Sequence, residues 1–141
     1  MMGVMTVTAT GAATPELAWR RSYYLQRWTA WAPHLTGVDA DTPTLAAGTR
    51  GRVEILRIAT ARFRILRVNP QARTWTWRVR VGPLNLLLDH GLDELPTGTR
   101  AWVRIRGPWL ILALYRPLMW WALRRLVSAT NLGTTLGTDK T

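Results

Sequence analysis

The chain has 141 residues, a formal net charge of +11 and no cysteine. This length favours one domain with a substantial hydrophobic core, and the lack of cysteine excludes a disulfide framework, a thiol nucleophile and cysteine-ligated zinc. The positive charge comes from arginine, since Lys140 is the only lysine; arginine suits phosphate, carboxylate or aromatic partners, but a GC-rich genome gives the same bias without function.

The apolar segments predict neither a secretory signal nor a membrane-spanning helix. The N-terminus has no positively charged region and only a short apolar run. The longest apolar stretch, residues 108–123, contains Arg116 and Pro117 and falls short of the roughly 20 apolar residues that cross a bilayer. We therefore expect a cytoplasmic protein, with association at a membrane surface as the alternative.

The first elements are a strand and two short helices. Residues 4–10 alternate β-branched and small side chains, which predicts a strand. Thr14 is a good N-cap, Pro15 suits the first helical position, and Glu16 favours the positive end of a helix. The helix that begins here should break near Ser22 and continue as a second short helix.

Residues 35–106 predict an antiparallel meander of about six strands, because strand-like runs alternate with connections too short for crossover helices. The period of two puts Trp75 and Trp77 on one face of their strand and Arg78 and Arg80 on the other. Other strands repeat this division. The sheet should therefore cover something apolar on one side and meet water on the other.

The C-terminal segment predicts a long helix that begins after Gly107, with Pro108 at its first position, and continues to about Asn131. Pro117 should kink it. One broad apolar stripe of this helix should pack on the sheet. That stripe consists of Ile111, Leu112, Tyr115, Met119, Ala122, Leu123 and Leu126.

A second, narrower apolar stripe of the same helix has no assigned partner. It runs through Leu110, Leu114 and Trp121 and continues into Arg124 and Arg125. Two interpretations remain open. The stripe is covered by a loop or simply exposed, or it contacts a membrane surface or the second subunit of a homodimer.

Local motifs along nearly the whole chain resemble one family. They are ATPELAW from residue 13, RWTAWAP from residue 27, LAAGTR from residue 45, H-x-L at residue 90, GTR at residue 98 and GPWLILALYRPLMWWALRRLV from residue 107. With the predicted element order, the sequence resembles the SRPBCC superfamily of polyketide cyclase/dehydrase-like proteins, START domains and birch-pollen-allergen proteins.

This resemblance implies an α+β helix-grip fold: a curved antiparallel sheet of about seven strands wrapped around a long C-terminal helix, with two short helices after the first strand. The domain should span residues 1–132, with a flexible tail at 133–141. The family's cavity between sheet and helix implies a hydrophobic small-molecule ligand, such as a polyketide or lipid, in a carrier or a cyclase/dehydrase-like enzyme. A peripheral membrane or lipid-transfer role is the alternative.

His90 is the best candidate for a catalytic residue. It shares strand parity with Leu86 and Leu88, so it should face the cavity with them. A neutral imidazole there could bind a ligand oxygen or act as a general base, since its pKa normally lies near neutrality. The alternative is a buried histidine satisfied by a neighbouring group. Asp89 points to the other face, and His34 is expected at the surface or as a cap.

The other candidate site residues are large apolar side chains. Nine tryptophans exceed what a small core needs, and flat indoles suit polycyclic ligands, although each could equally be a core residue. The candidate ligand contacts are Trp75, Trp77, Phe63, Leu86, Leu88, Tyr115, Met119, Trp28 and Trp31. There is no phosphate loop, nucleophile elbow or histidine pair at metal spacing, so we expect neither a cofactor nor a metal.

The arginine face of the sheet allows a further alternative. Arginines at 62, 64, 78, 80, 104 and 106 share it with Trp102. Such an array could bind nucleic acid through phosphates and stacking, but an ordinary solvated face has the same pattern. From sequence alone we expect the solvated face.

Overall fold

The computed structural model describes residues 2–129. The predicted tail at 133–141 and the domain limit at 132 lie outside this range. The C-terminal helix ends at Leu126, because Val127 no longer has helical backbone angles, so the predicted helix end near Asn131 is wrong. The elements follow in the order β1 (Met2–Gly11), α1 (Pro15–Tyr23), a 3-10 turn (Leu25–Arg27), α2 (Trp28–Trp31), β2 (Leu35–Ala40), β3 (Arg50–Ile55), β4 (Ala59–Asn69), β5 (Thr74–Val81), β6 (Leu84–Leu95), β7 (Gly98–Pro108) and α3 (Trp109–Leu126).

The seven strands form one antiparallel sheet in the order β1-β7-β6-β5-β4-β3-β2. Strands β2 to β7 pair in chain order, as their short connections predict. β1 joins the sheet from the other end of the chain and pairs with β7 from Met2 opposite Pro108 to Gly11 opposite Thr99. The predicted α+β fold, a seven-stranded sheet with two short helices after β1 and a long helix at the end, is confirmed.

The two short helices begin and break close to where the sequence predicts. The Thr14 side chain accepts a hydrogen bond from the Leu17 amide at 3.2 Å, and Pro15 opens α1. The helix ends at Tyr23, because Tyr24 has an extended backbone that cannot continue it. The chain then turns directly into α2, which presents Trp28 and Trp31 to the interior.

The period of two divides each strand into an inner face, which α3 covers, and an outer face. On the inner face Ile65, Val103 and Ile105 are fully buried. The arginines between these residues, such as Arg64 and Arg104, are exposed on the outer face. The predicted division into an apolar face and an arginine face is confirmed.

α3 lies across the inner face on the stripe predicted for it. Leu112, Met119, Leu123 and other members of that stripe are buried, while Ile111 and Tyr115 are partly buried against the core. The helix begins at Trp109, one residue later than predicted, because β7 continues through Pro108. No helix within residues 2–129 is both long enough and apolar enough to cross a membrane.

A buried arginine fixes the C-terminal end of α3. The Arg21 guanidinium donates hydrogen bonds to the carbonyls of Arg125, Leu126 and Ser128, at 3.5, 3.0 and 2.6 Å. Carbonyls at the end of a helix lack the partners that the next turn would supply, although the Arg125 carbonyl also accepts from the Ser128 amide at 3.2 Å. A cation also suits the negative end of the helix dipole. Arg125 in turn donates to the Ala30 carbonyl at 2.7 Å, so α1, α2 and the end of α3 are tied together.

Candidate functional site

A pocket lies between the inner face of the sheet, α2 with the segment that follows it, and α3. Its walls are almost entirely apolar, and three polar side chains reach it. The lining residues are Trp28, Trp31, Ala32, His34, Leu35, Val53, Ile55, Trp75, Trp77, Val79, Leu86, Leu88, His90, Tyr115 and Met119.

Aromatic rings fill the base of the pocket. Trp28 stacks on Trp75 with ring centroids 5.3 Å apart and meets the edge of Trp77 at 5.0 Å. Phe63 contacts both Trp28 and Trp77 from behind, at 5.7 and 5.3 Å. Trp28 is oriented by its indole N–H, which donates to the Ser22 carbonyl at 2.8 Å. The two short helices therefore place the indole of Trp28 against the centre of the sheet's inner face.

The enclosed cavity has a volume of about 30 Å³. Ligand pockets usually measure about 300 Å³ or more, whereas one ordered water needs only about 10–15 Å³ on the same measure. The deep cavity that the family resemblance implies is therefore absent from this conformation. The interlocked tryptophans and Phe63 occupy the space between the sheet and α3.

His90 faces the pocket, as its strand parity predicts. Its Nε2 accepts a hydrogen bond from the indole N–H of Trp77 at 3.0 Å, and its ring stacks on Trp75 with centroids 4.3 Å apart. Burial lowers the pKa of His90 to about 3, against the opposing effect of the Asp89 charge. The near-neutral pKa expected from the sequence is therefore wrong, because desolvation disfavours the imidazolium. Its catalytic role stays a prediction.

His34 is not the surface residue that the sequence suggests. It is only 5% exposed, and its ring meets Tyr115 edge-on with centroids 5.4 Å apart. The chain turns inward after α2 and places His34 beneath α3, where the Leu56 amide donates to its backbone carbonyl at 2.9 Å. Burial lowers the pKa of His34 to about 4.

The Nδ1 atom of His34 is buried and has no hydrogen-bond partner within residues 2–129. Nothing in the local sequence signals this, because the position follows from how α2 packs. Tyr115, which shares the wall, has its pKa raised to about 12 by burial. Its hydroxyl therefore remains protonated and able to donate at neutral pH.

The structure gathers most of the predicted site residues around one pocket. His90 and eight of the nine predicted ligand contacts line it; Phe63 instead lies behind Trp28 and Trp77. Sequence reasoning missed His34, and it missed Val53 and Ile55 of β3. The signal for β3 was present, since these two residues alternate with Arg52 and Glu54.

The pocket is suited to binding more than to acid–base chemistry at neutral pH. Both imidazoles are neutral there, because their pKa values lie near 3 and 4. The Nε2 lone pair of His90 is already engaged by Trp77. The lining supplies aromatic rings and a few neutral polar atoms, but a guest molecule larger than a water requires the pocket to open.

A seven-stranded antiparallel sheet that holds a C-terminal helix on its inner face defines the helix-grip class of the SRPBCC superfamily. Residues 2–131 match the family model described as polyketide cyclase / dehydrase and lipid transport, and the chain belongs to this family. No curated protein shows significant sequence similarity to the chain.

Solved structures support the same fold. A crystal structure of Ara h 8.0201 matches with a TM-score of 0.71 at 9% sequence identity, covering 89% of this chain and 95% of that one. The XoxI protein of Bacillus cereus matches with a TM-score of 0.70 at 16% identity, covering 89% and 93%. Protein CV1439 of Chromobacterium violaceum gives 0.66 at 14% identity, covering 87% and 93%. At these identities the likeness concerns the fold alone.

Proposed function

We propose that the protein binds a flat hydrophobic molecule with one hydroxyl or carbonyl group in the pocket between the sheet and α3. The observation that carries this proposal is the buried Nδ1 of His34, which has no hydrogen-bond partner within residues 2–129 and belongs to a residue that lines the apolar pocket. A buried polar atom without a partner costs about 1–3 kcal/mol. A ligand oxygen in hydrogen-bonding reach of His34 would remove that cost, while the indoles of Trp28 and Trp31 contact its ring system.

Ligand entry requires the pocket to open, and the N-terminal half of α3 is the wall best suited to move. In that half Leu112 is the only fully buried residue, whereas Leu110 and Leu114 are exposed. Pro117 cannot donate the backbone hydrogen bond that would close the turn to Ala113. The C-terminal half is held by Arg21, so displacement of the first two turns would enlarge the pocket without detaching the helix.

The test compares 2-naphthol with 2-methylnaphthalene, a pair that differs in one hydroxyl, by isothermal titration calorimetry. We expect the wild-type protein to bind 2-naphthol more tightly than 2-methylnaphthalene. In a His34→Leu variant the ratio of the two affinities should fall about tenfold, which corresponds to the loss of one hydrogen bond. Affinity for 2-methylnaphthalene should change little. A Trp102→Leu variant, altered on the outer face, is the matched control.

Two results would count against the proposal. If neither compound binds, the pocket is not a site for flat aromatic molecules. If both bind but His34→Leu leaves the preference for the hydroxyl intact, His34 is a core residue rather than the polar contact. Native mass spectrometry of the gently purified protein then identifies any molecule it carries.

A second candidate function is docking on an anionic membrane surface. Five large apolar side chains of α3 are exposed, including Leu114 at 68% and Trp121 at 50%. Arg116 and Arg124 are exposed on the same helix, with the Arg124 guanidinium over the Trp120 ring, and α3 contains no acidic residue. Apolar and indole side chains flanked by cations suit the boundary between headgroups and acyl chains.

Vesicle co-sedimentation tests this candidate. We expect binding to vesicles that contain phosphatidylserine and weaker binding to pure phosphatidylcholine, with a loss in a Leu114→Ser/Trp121→Ser variant. The matched control is Leu56→Ser/Ile58→Ser, which removes two exposed apolar side chains from the turn between β3 and β4. A concentration-dependent dimer in sedimentation velocity, abolished by the first variant, would assign the surface to a second copy of the chain instead.

A further inference from the structure

Six arginines on the outer face of the sheet form two rows across neighbouring strands. The pairing register sets residues of β3, β4 and β5 directly opposite one another. The rows are Arg50, Arg64 and Arg78, then Arg52, Arg62 and Arg80. We call these six residues the arginine array. It faces away from the ligand pocket and is independent of it.

The array brings cations next to cations. Like charges directly opposite each other on antiparallel strands destabilise the pair. Within residues 2–129, the one ion pair to the array joins Arg52 to Asp39 at 3.8 Å, and both side chains are largely exposed, so it contributes little. An ordinary solvated face mixes charges of both signs across strands. The edge of the array follows that pattern, since Asp39 lies opposite Arg52, but the pairs within the array join arginine to arginine.

The spacing of the array suits a row of phosphates. Strands in a sheet lie about 4.8 Å apart, and every second residue along a strand lies about 6.8 Å from the next. The six Cα atoms from which these side chains extend therefore cover an area of about 10 by 7 Å. Arginine binds phosphate oxygens through two donors at once and also stacks on aromatic bases.

A groove on the same face, next to the array, has an aromatic floor. Trp102 of β7 lines it together with Arg67, Arg104 and Arg106. The indole lies so close over Gly91 that no Cβ fits at that position, so the glycine gives the ring room to lie against the strand. The groove also contains one carboxylate, since Asp89 accepts from Thr76 at 2.6 Å and lies 3.8 Å from Arg67.

We propose that the outer face binds single-stranded nucleic acid, with phosphates on the arginine array and a base on Trp102. A cationic surface with an accessible aromatic ring is how proteins hold single strands without reading their sequence. A duplex fits less well, because no helix or ribbon within residues 2–129 projects from this face to enter a groove. A bilayer also fits less well, because the large exposed apolar side chains of residues 2–129 lie outside the array, mostly on α3.

The experiment is a fluorescence anisotropy titration of the full chain with a labelled oligothymidylate of about 12 nucleotides, within the usual site size for such surfaces. Affinity should fall with salt, with a logarithmic slope of about −4 if six phosphates are contacted. An Arg64→Gln/Arg78→Gln variant should flatten the slope by about 1.4. A Trp102→Leu variant should weaken binding about tenfold at an unchanged slope.

The matched control removes the same two charges from α3 as Arg116→Gln/Arg124→Gln and should retain the wild-type slope. Arg62→Gln/Arg80→Gln supplies a second array variant, and circular dichroism verifies that each variant is folded. The proposal is overturned by any of three results. These are no binding at low ionic strength, an equal loss in the α3 control, or tighter binding to the corresponding duplex.

Discussion

The inner and outer faces of the sheet are built from alternate residues of the same strands, yet they obey different physical rules. On the inner face Ile65 and Ile105 are fully buried, so volume and shape decide which residue fits. On the outer face Arg64 lies opposite Arg78, a pairing that folding does not favour. The inner face explains why the chain folds, whereas the outer face has room for a separate role.

The largest expected effect is on the inner face. Trp28→Ala should lower the free energy of unfolding by about 3–5 kcal/mol, because it empties the centre of the aromatic cluster. Urea denaturation measures the change. Trp121→Ala, at a half-exposed position on α3, should stay within about 0.5 kcal/mol. A small loss for Trp28→Ala would mean that the cluster collapses readily, and the contrast between a packed face and a free surface would weaken.

The next effect comes from the two buried imidazoles. The pKa values of His34 and His90 are lowered to about 4 and about 3 in the folded protein, while the unfolded chain takes up these protons near pH 6.5. Their contribution is constant above pH 6.5. As pH falls from 6.5 toward 4, the unfolded state binds more protons, so stability should fall by up to about 1.4 kcal/mol per pH unit per histidine.

Urea denaturation between pH 7 and 5 checks this slope, a range chosen because most carboxylates stay ionised there. A His90→Gln variant is less stable but should show about half the dependence on pH. A flat profile between pH 7 and 5 would place both histidines in contact with solvent.

The smallest expected effect is a gain on the outer face. Arg64→Gln removes a charge that lies opposite both Arg50 and Arg78. It should raise the free energy of unfolding by a few tenths to about 1 kcal/mol at low salt. The gain should vanish in high salt, where the repulsion is screened. A loss of stability at low salt would show that Arg64 has a stabilising partner and that repulsion between the arginines does not dominate its environment.

The fold could be predicted because its signals are local. Alternation placed Trp75 and Trp77 on the inner face, and helical spacing placed Met119 and Leu123 on the buried side of α3. The burial of His34 could not be predicted, since it depends on how α2 turns the following residues inward. The same holds for Arg21, whose partners are carbonyls more than 100 positions further along the chain.

The site was less predictable than the fold. The alternation along the strands predicted most of the residues that line the pocket. It could not predict the volume of the pocket, because that volume depends on how the rings of Trp28, Trp75 and Phe63 interlock. In the same way, the alternation along each strand predicted that the arginines share one face, but not which arginines lie opposite each other on neighbouring strands. The sequence is equally consistent with staggered arginines and with directly opposed ones, and the two differ in electrostatic energy.

The pairing of β1 with β7 has a consequence for how the chain is made. β1 finds its strand partner only when residues 98–108 are available, so during synthesis it stays unpaired until β7 has been translated. Closing such a distant pair is entropically costly, and folds dominated by non-local contacts form slowly. We therefore expect β1 to remain open to proteases and chaperones in the nascent chain, and the completed sheet to assemble late.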